Sequence, residues 1–164
     1  MYFLCNCGKI QGELPLDAGV RSAEYAVGGF IHGKKEVFYS ASFHANEWIT
    51  SIVLLEFLHE YCSAIQNNTT IFGFPAQRLF ETVSIYVMPM VNPDGIDLVT
   101  GALPRTSPSY KQAEKIAYGF ATIPFPDGWK ANIRGVDLNL QFPAEWEKAR
   151  AIKYEQGFTQ SCTA

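Results

Sequence analysis

What most constrains the fold is a long helix-like run held between two strand-like runs. "EVFYSAS" (Glu36 to Ser42) is compact, aromatic and β-branched, and reads as a buried strand. "ANEWITSIVLLEFLHEYCSAIQ" follows, with Trp48, Ile49, Ile52, Val53, Leu55, Leu58, Tyr61, Cys62 and Ile65 at helical spacing. So wide an apolar face predicts a largely buried helix, which "NNTT" (Asn67 to Thr70) ends. "TVSIYVMPMV" (Thr82 to Val91) reads as a second buried strand, and "NPDG" (Asn92 to Gly95) as a turn. Beyond it a short helix is expected around Tyr110–Tyr118, and a short strand or loop at "VDLNLQF". A further helix should start at Pro143 and end at Gly157. Weaker patterns place short strands near Gly12–Leu16 and Glu24–Val27. The order strand, helix, strand, helix is that of an α/β layered fold. No repeat, low-complexity tract or linker divides residues 1–164, so a single domain is expected.

Composition narrows the function classes. Hydrophobic residues make up 48% and charged residues 18%, the balance of a globular chain and not a disordered one. The net charge of -3, with Lys34–Lys35 the only adjacent basic pair, gives no footprint for nucleic acid. No apolar run approaches the roughly 18 residues a membrane span needs. The start "MYFLCNCGKIQG" has no basic n-region and no sustained apolar core, which makes it a poor secretory signal. Location is otherwise unspecified, with bacterial cytoplasm and cell wall both compatible. Cys5, Cys7, Cys62 and Cys162 lack the spacing of a zinc knuckle and read as reduced thiols.

Chemistry concentrates at "SASFHANEWIT" (Ser40 to Thr50). His44 and Glu47 stand three residues apart where the strand gives way to the helix, so both side chains can point into one crevice. Imidazole nitrogen and carboxylate oxygen suit zinc. Glu47 also has a plainer role, since an acidic residue in a first helical turn complements the helix dipole.

"FHANEW", "VMPMVNPDG" and "WKANIRGVDLNLQF" follow one another in an order that resembles the zinc carboxypeptidase (M14) family, over roughly Glu36 to Gln156. The wording is most similar to the bacterial γ-D-glutamyl-L-diamino acid endopeptidases, which cut peptidoglycan stem peptides. The resemblance implies a three-layer fold with a mixed sheet between helices. It implies a Zn2+ held by His44, Glu47 and a second histidine, with a glutamate as general base and an arginine at the oxyanion. By spacing, Lys130 occupies the place of that arginine, and Arg134 is the substitute. Asn139 matches the family's substrate-binding asparagine. Leu140 stands where carboxypeptidases carry the arginine that grips a terminal carboxylate, and Asn46 replaces another arginine of the digestive members. Both departures point away from ordinary carboxypeptidase recognition and toward a cell-wall stem peptide.

The second histidine and the general base would lie downstream of Phe142, and neither His32 nor His59 matches. The expectation is therefore a C-terminally truncated peptidase domain, inactive as it stands, binding zinc weakly and self-associating through uncovered strand edges. Two other readings remain. One is a non-catalytic remnant acting as a binding module. The other is a zinc-dependent deacylase, which Leu140 disfavours because those enzymes carry arginine there. Trp48, Trp129 and Trp146 read as packing residues, and Asp94 and Asp137 as turn formers bonding local amides.

Overall fold

The computed structural model describes residues 25–27, 33–120 and 122–157. The strand expected at Gly12–Leu16, His32, Cys5, Cys7 and Cys162 lie outside them. The described residues divide into two compact units, one of 25–27, 33–42 and 48–91, the other of 43–47, 92–120 and 122–157.

The first unit is built on a mixed sheet. Strand β5 (Val83–Met88) is central, paired antiparallel with β1 (Tyr25–Val27) and parallel with β2 (Lys35–Ser40). The β2 register runs from Lys35 opposite Val83 to Ser40 opposite Met88. Between β2 and β5 come helix α1 (Ile49–Gln66), the hairpin of β3 (Thr70–Ile71) and β4 (Phe74–Pro75), and helix α2 (Ala76–Thr82). Both residues of the hairpin turn, Phe72 and Gly73, have positive φ, the pairing that matches strand twist. Ile85 and Val87 alternate onto one face of β5 and pack with Tyr61, Ala64 and Ile65 of α1 and with Ile71 and Ala76.

Two expectations of burial fail here. The strand at Glu36–Ser42 forms, shortened to Lys35–Ser40, but all six of its residues are exposed. It lies at the edge of the sheet among the described residues. Helix α1 forms, but Ile49, Ile52 and Val53 are 53–63% exposed. Periodicity had correctly set the element types; whether a face is covered depends on what packs against it. The ends of β2, α1 and β5 are tied by a polar knot. Ser42 N donates to Thr50 Oγ1 (3.0 Å), the Ser42 and Ser51 hydroxyls are 2.6 Å apart, and Ser51 Oγ donates to Pro89 O.

The second unit is helical: α3 (Pro93–Thr100), α4 (Pro108–Ala117) and α5 (Trp146–Glu155), with short 3-10 turns at Ala45–Glu47 and Leu138–Leu140. Its core joins Ala45, Leu98, Tyr110, Ala113 and Trp129, with Val99, Ile116 and Phe125 packed on it. "NPDG" is not a free turn but the start of α3. The Asn92 side chain caps it by accepting from Gly95 N (3.1 Å), and Pro93 sits where no amide proton is needed. Ser107 and Pro108 open α4 in the same way. "VDLNLQF" contains a 3-10 turn capped by Asp137, and α5 lies within the span expected for it.

Candidate metal centre

The second unit carries every residue singled out as a site candidate. Ala45 is fully buried, and its N–H donates to Lys130 O (3.1 Å), fixing the 3-10 turn that bears His44 and Glu47 against the segment that bears Lys130. Asn92, 1% exposed, reinforces this join. Its Nδ2 donates to Phe43 O (3.2 Å) and to Ala131 O (3.1 Å), while Oδ1 caps α3. A side chain making three bonds to three segments holds the residues on either side of it in place. Gly95 permits the arrangement: a Cβ there would lie 2.6–2.8 Å from the Asn92 amide. Trp129 packs on Phe125 edge-to-face at 5.6 Å and donates from Nε1 to Asn132 O (3.2 Å), anchoring the residue before Lys130.

His44 Nδ1 stands 3.2 Å from Glu47 Oε1, and His44 Nε2 stands 3.3 Å from Asp137 Oδ1. Lys130 Nζ donates to the same Glu47 Oε1 at 3.2 Å. Slight desolvation, the largest single influence, pushes the Glu47 carboxyl up. The hydrogen bonds and charges of Lys130 and His44 outweigh it, so the group sits below its usual range.

The donor set fits a zinc ion. Tetrahedral bonds of about 2.0–2.2 Å put neighbouring ligand atoms roughly 3.3–3.6 Å apart, close to the 3.2 Å between Nδ1 and Oε1. An imidazole that donates from Nε2 to Asp137 would leave its Nδ1 lone pair for a metal. Asp137 is therefore not a third ligand. Among the described residues no group of three histidine, cysteine or carboxylate side chains is placed to hold one ion.

Arg134 is exposed and enters the local structure through its backbone N, which donates to Asn132 Oδ1 (2.9 Å). The structure thus brings Lys130, and not Arg134, to the His44–Glu47 pair. Asn139 and Leu140 are exposed on their 3-10 turn, and Asn139 N donates to Asp137 Oδ1 (3.0 Å). Asn46 Oδ1 is buried with no hydrogen-bond partner among the described residues. Two contributors escaped sequence reasoning. Asp137 does bond a local amide as expected, but it also faces His44. Asn92 ties the site together. A ligand histidine always raises the question of what holds its second nitrogen, and that question alone could have drawn attention to Asp137.

A model of the zinc carboxypeptidase family matches residues 26–161. The γ-D-glutamyl-L-diamino acid endopeptidase 1 of Lysinibacillus sphaericus is 45% identical over 120 residues, which is 73% of this chain and 30% of that protein. An uncharacterized protein of Bacillus subtilis is 45% identical over 119 residues, 73% of this chain and 31% of that protein. Carboxypeptidase E of Caenorhabditis elegans is 33% identical over 119 residues, 71% of this chain and 20% of that protein. The chain thus spans about a third or less of the length of these relatives.

Proposed function

The chain belongs to the zinc carboxypeptidase family of hydrolases, and from that premise we propose that it forms part of a zinc peptidase that hydrolyses γ-D-glutamyl–diamino acid bonds in bacterial cell-wall stem peptides. The observation that carries this reading is the approach of His44 Nδ1 to Glu47 Oε1, with Asp137 behind the imidazole and Lys130 beside the carboxylate. His44 and Glu47 would hold the ion. When bound, zinc supplies Lewis acidity toward the scissile carbonyl and lowers the pKa of its water. The Lys130 ammonium stabilises negative charge on the substrate oxygen as a point charge, without the fork an arginine would bring. The Asn139 amide contacts substrate. Leu140 offers no guanidinium to a terminal carboxylate, and the endopeptidase among the relatives supports a different acidic group as the feature read.

In this reading residues 1–164 are one portion of a single three-layer peptidase domain whose mixed sheet lies between helices. A third zinc ligand and a general base are not among the residues assigned here, so the 164-residue chain alone turns over no γ-D-Glu–diaminopimelate peptide, with or without zinc. Zinc-dependent release of diaminopimelate that vanishes in His44→Ala would refute that. Calorimetry should show weak binding lost in both His44→Ala and Glu47→Gln. Tight binding that survives both would move the metal elsewhere. The exposed β2 edge supports self-association, which light scattering over a concentration series tests; a monomer throughout would sink that part.

A further inference from the structure

We propose that Lys130 is an internal cation that competes with the metal for Glu47 and so sets the metal affinity of the site. The inference rests on the reading of His44 and Glu47 as ligands. Its basis is one shared atom. Glu47 Oε1 is the oxygen that faces His44 Nδ1 at 3.2 Å, and it is also the oxygen that accepts from Lys130 Nζ at 3.2 Å. An ion held by His44 and Glu47 would draw on the Oε1 lone pairs that the ammonium uses, and a dication there would meet a positive charge a few ångströms away.

The lysine is built to reach this atom and to leave it. Its backbone is fixed: Lys130 O accepts from Ala45 N, Ala131 O accepts from Asn92 Nδ2, and Trp129 is nearly buried. Its side chain is 53% exposed, so the ammonium can swing into water when an ion arrives. Water access also bounds the effect. Half-exposed ion pairs are worth at most about 1 kcal/mol, or roughly five-fold in an equilibrium constant. Lys130 therefore adjusts zinc affinity without blocking the site. An arginine here would keep the charge and would oppose the ion comparably. A neutral side chain of similar length would not.

Zinc titration calorimetry on the full 164-residue chain tests this with four variants, each checked for an unchanged melting profile. Lys130→Met should bind zinc about three- to five-fold more tightly than the parent, and Lys130→Arg should bind within about two-fold of it. The gap between Lys130→Met and the parent should narrow toward about 1 M salt, where the screening length falls to about 3 Å. A lysine that merely supports the fold would give weaker binding on removal, the opposite sign. Lys130→Met binding no tighter than the parent, while His44→Ala and Glu47→Gln abolish binding, would overturn the competition but leave the metal site standing. Zinc binding indifferent to His44→Ala and Glu47→Gln would overturn the metal site and this inference with it.

Discussion

In the second unit Ala45 and Leu98 are fully buried and Trp129 is 6% exposed, whereas on α1 of the first unit Ile49, Ile52 and Val53 stand more than half exposed along one stripe. The stripe has helical spacing and apolar content; the residues around Trp129 lie in an irregular segment, "IPFPDGWKANIRG", with no period at all. The more regular pattern thus marks the barer surface. A periodic face shows that something must cover it, while an irregular segment can close tightly when each large side chain meets a specific neighbour.

Truncation should cost most where closure is tightest. Trp129→Ala removes a side chain packed on Phe125 and takes away the donor to Asn132 O. It should destabilise the chain by about 3–5 kcal/mol, read by denaturant melts. A loss under about 1 kcal/mol would show that the second unit is looser than its burial implies.

Next comes the buried asparagine. Asn92→Ala deletes a helix cap and two bonds to carbonyls and should cost about 2 kcal/mol. Asn92→Asp keeps the cap but leaves Phe43 O and Ala131 O without their donor. It should retain helicity yet weaken zinc binding, which separates capping from site positioning. Equal zinc affinity in Asn92→Asp and the parent would remove Asn92 from the account of the site.

In the first unit, Tyr61 is 1% exposed, and its hydroxyl has no hydrogen-bond partner among the described residues. Burial, with Cys62 adding to it, pushes its pKa up to about 12. The folded state favours the neutral phenol, so this contribution to stability is complete below about pH 10 and is lost as pH rises through about 12. Tyr61→Phe should raise stability near neutrality by up to about 1 kcal/mol and flatten the alkaline decline. A less stable Phe variant would mean the hydroxyl has a partner.

The smallest effect on stability belongs to the bare stripe. Val53→Lys should change it by no more than about 0.5 kcal/mol while reducing light scattering at high concentration. A loss of 2 kcal/mol or more would show that the stripe is covered within the chain itself.

The existence of α1, β5, α4 and α5 was legible because their patterns are long or well bounded. The exposure of β2 was not, since strand chemistry is the same at the edge of a sheet as at its centre. "NPDG" misled for a local reason. Asn-Pro-Asp-Gly serves a turn and a capped helix start equally well, and only the residues after Gly95 separate the two. Within the site, His44 and Glu47 were visible because they are three residues apart. Lys130 and Arg134 could not be ranked from spacing, because the ranking depends on which side chain reaches Glu47 across 83 residues of chain. Asp137 lies 93 residues from His44, so a local reading could assign it only its bond to Asn139.

The fit of Gly95 beneath the Asn92 amide has a consequence for saturation mutagenesis. Position 95 has no side chain and none of the chemistry of the site. Yet any other residue drives a carbon into an amide that already holds three bonds, and that amide cannot retreat without releasing Phe43 and Ala131. Asp97, two positions on, is exposed and should accept most replacements. A map of tolerated substitutions would therefore mark Gly95 as intolerant as a ligand, for reasons of volume alone.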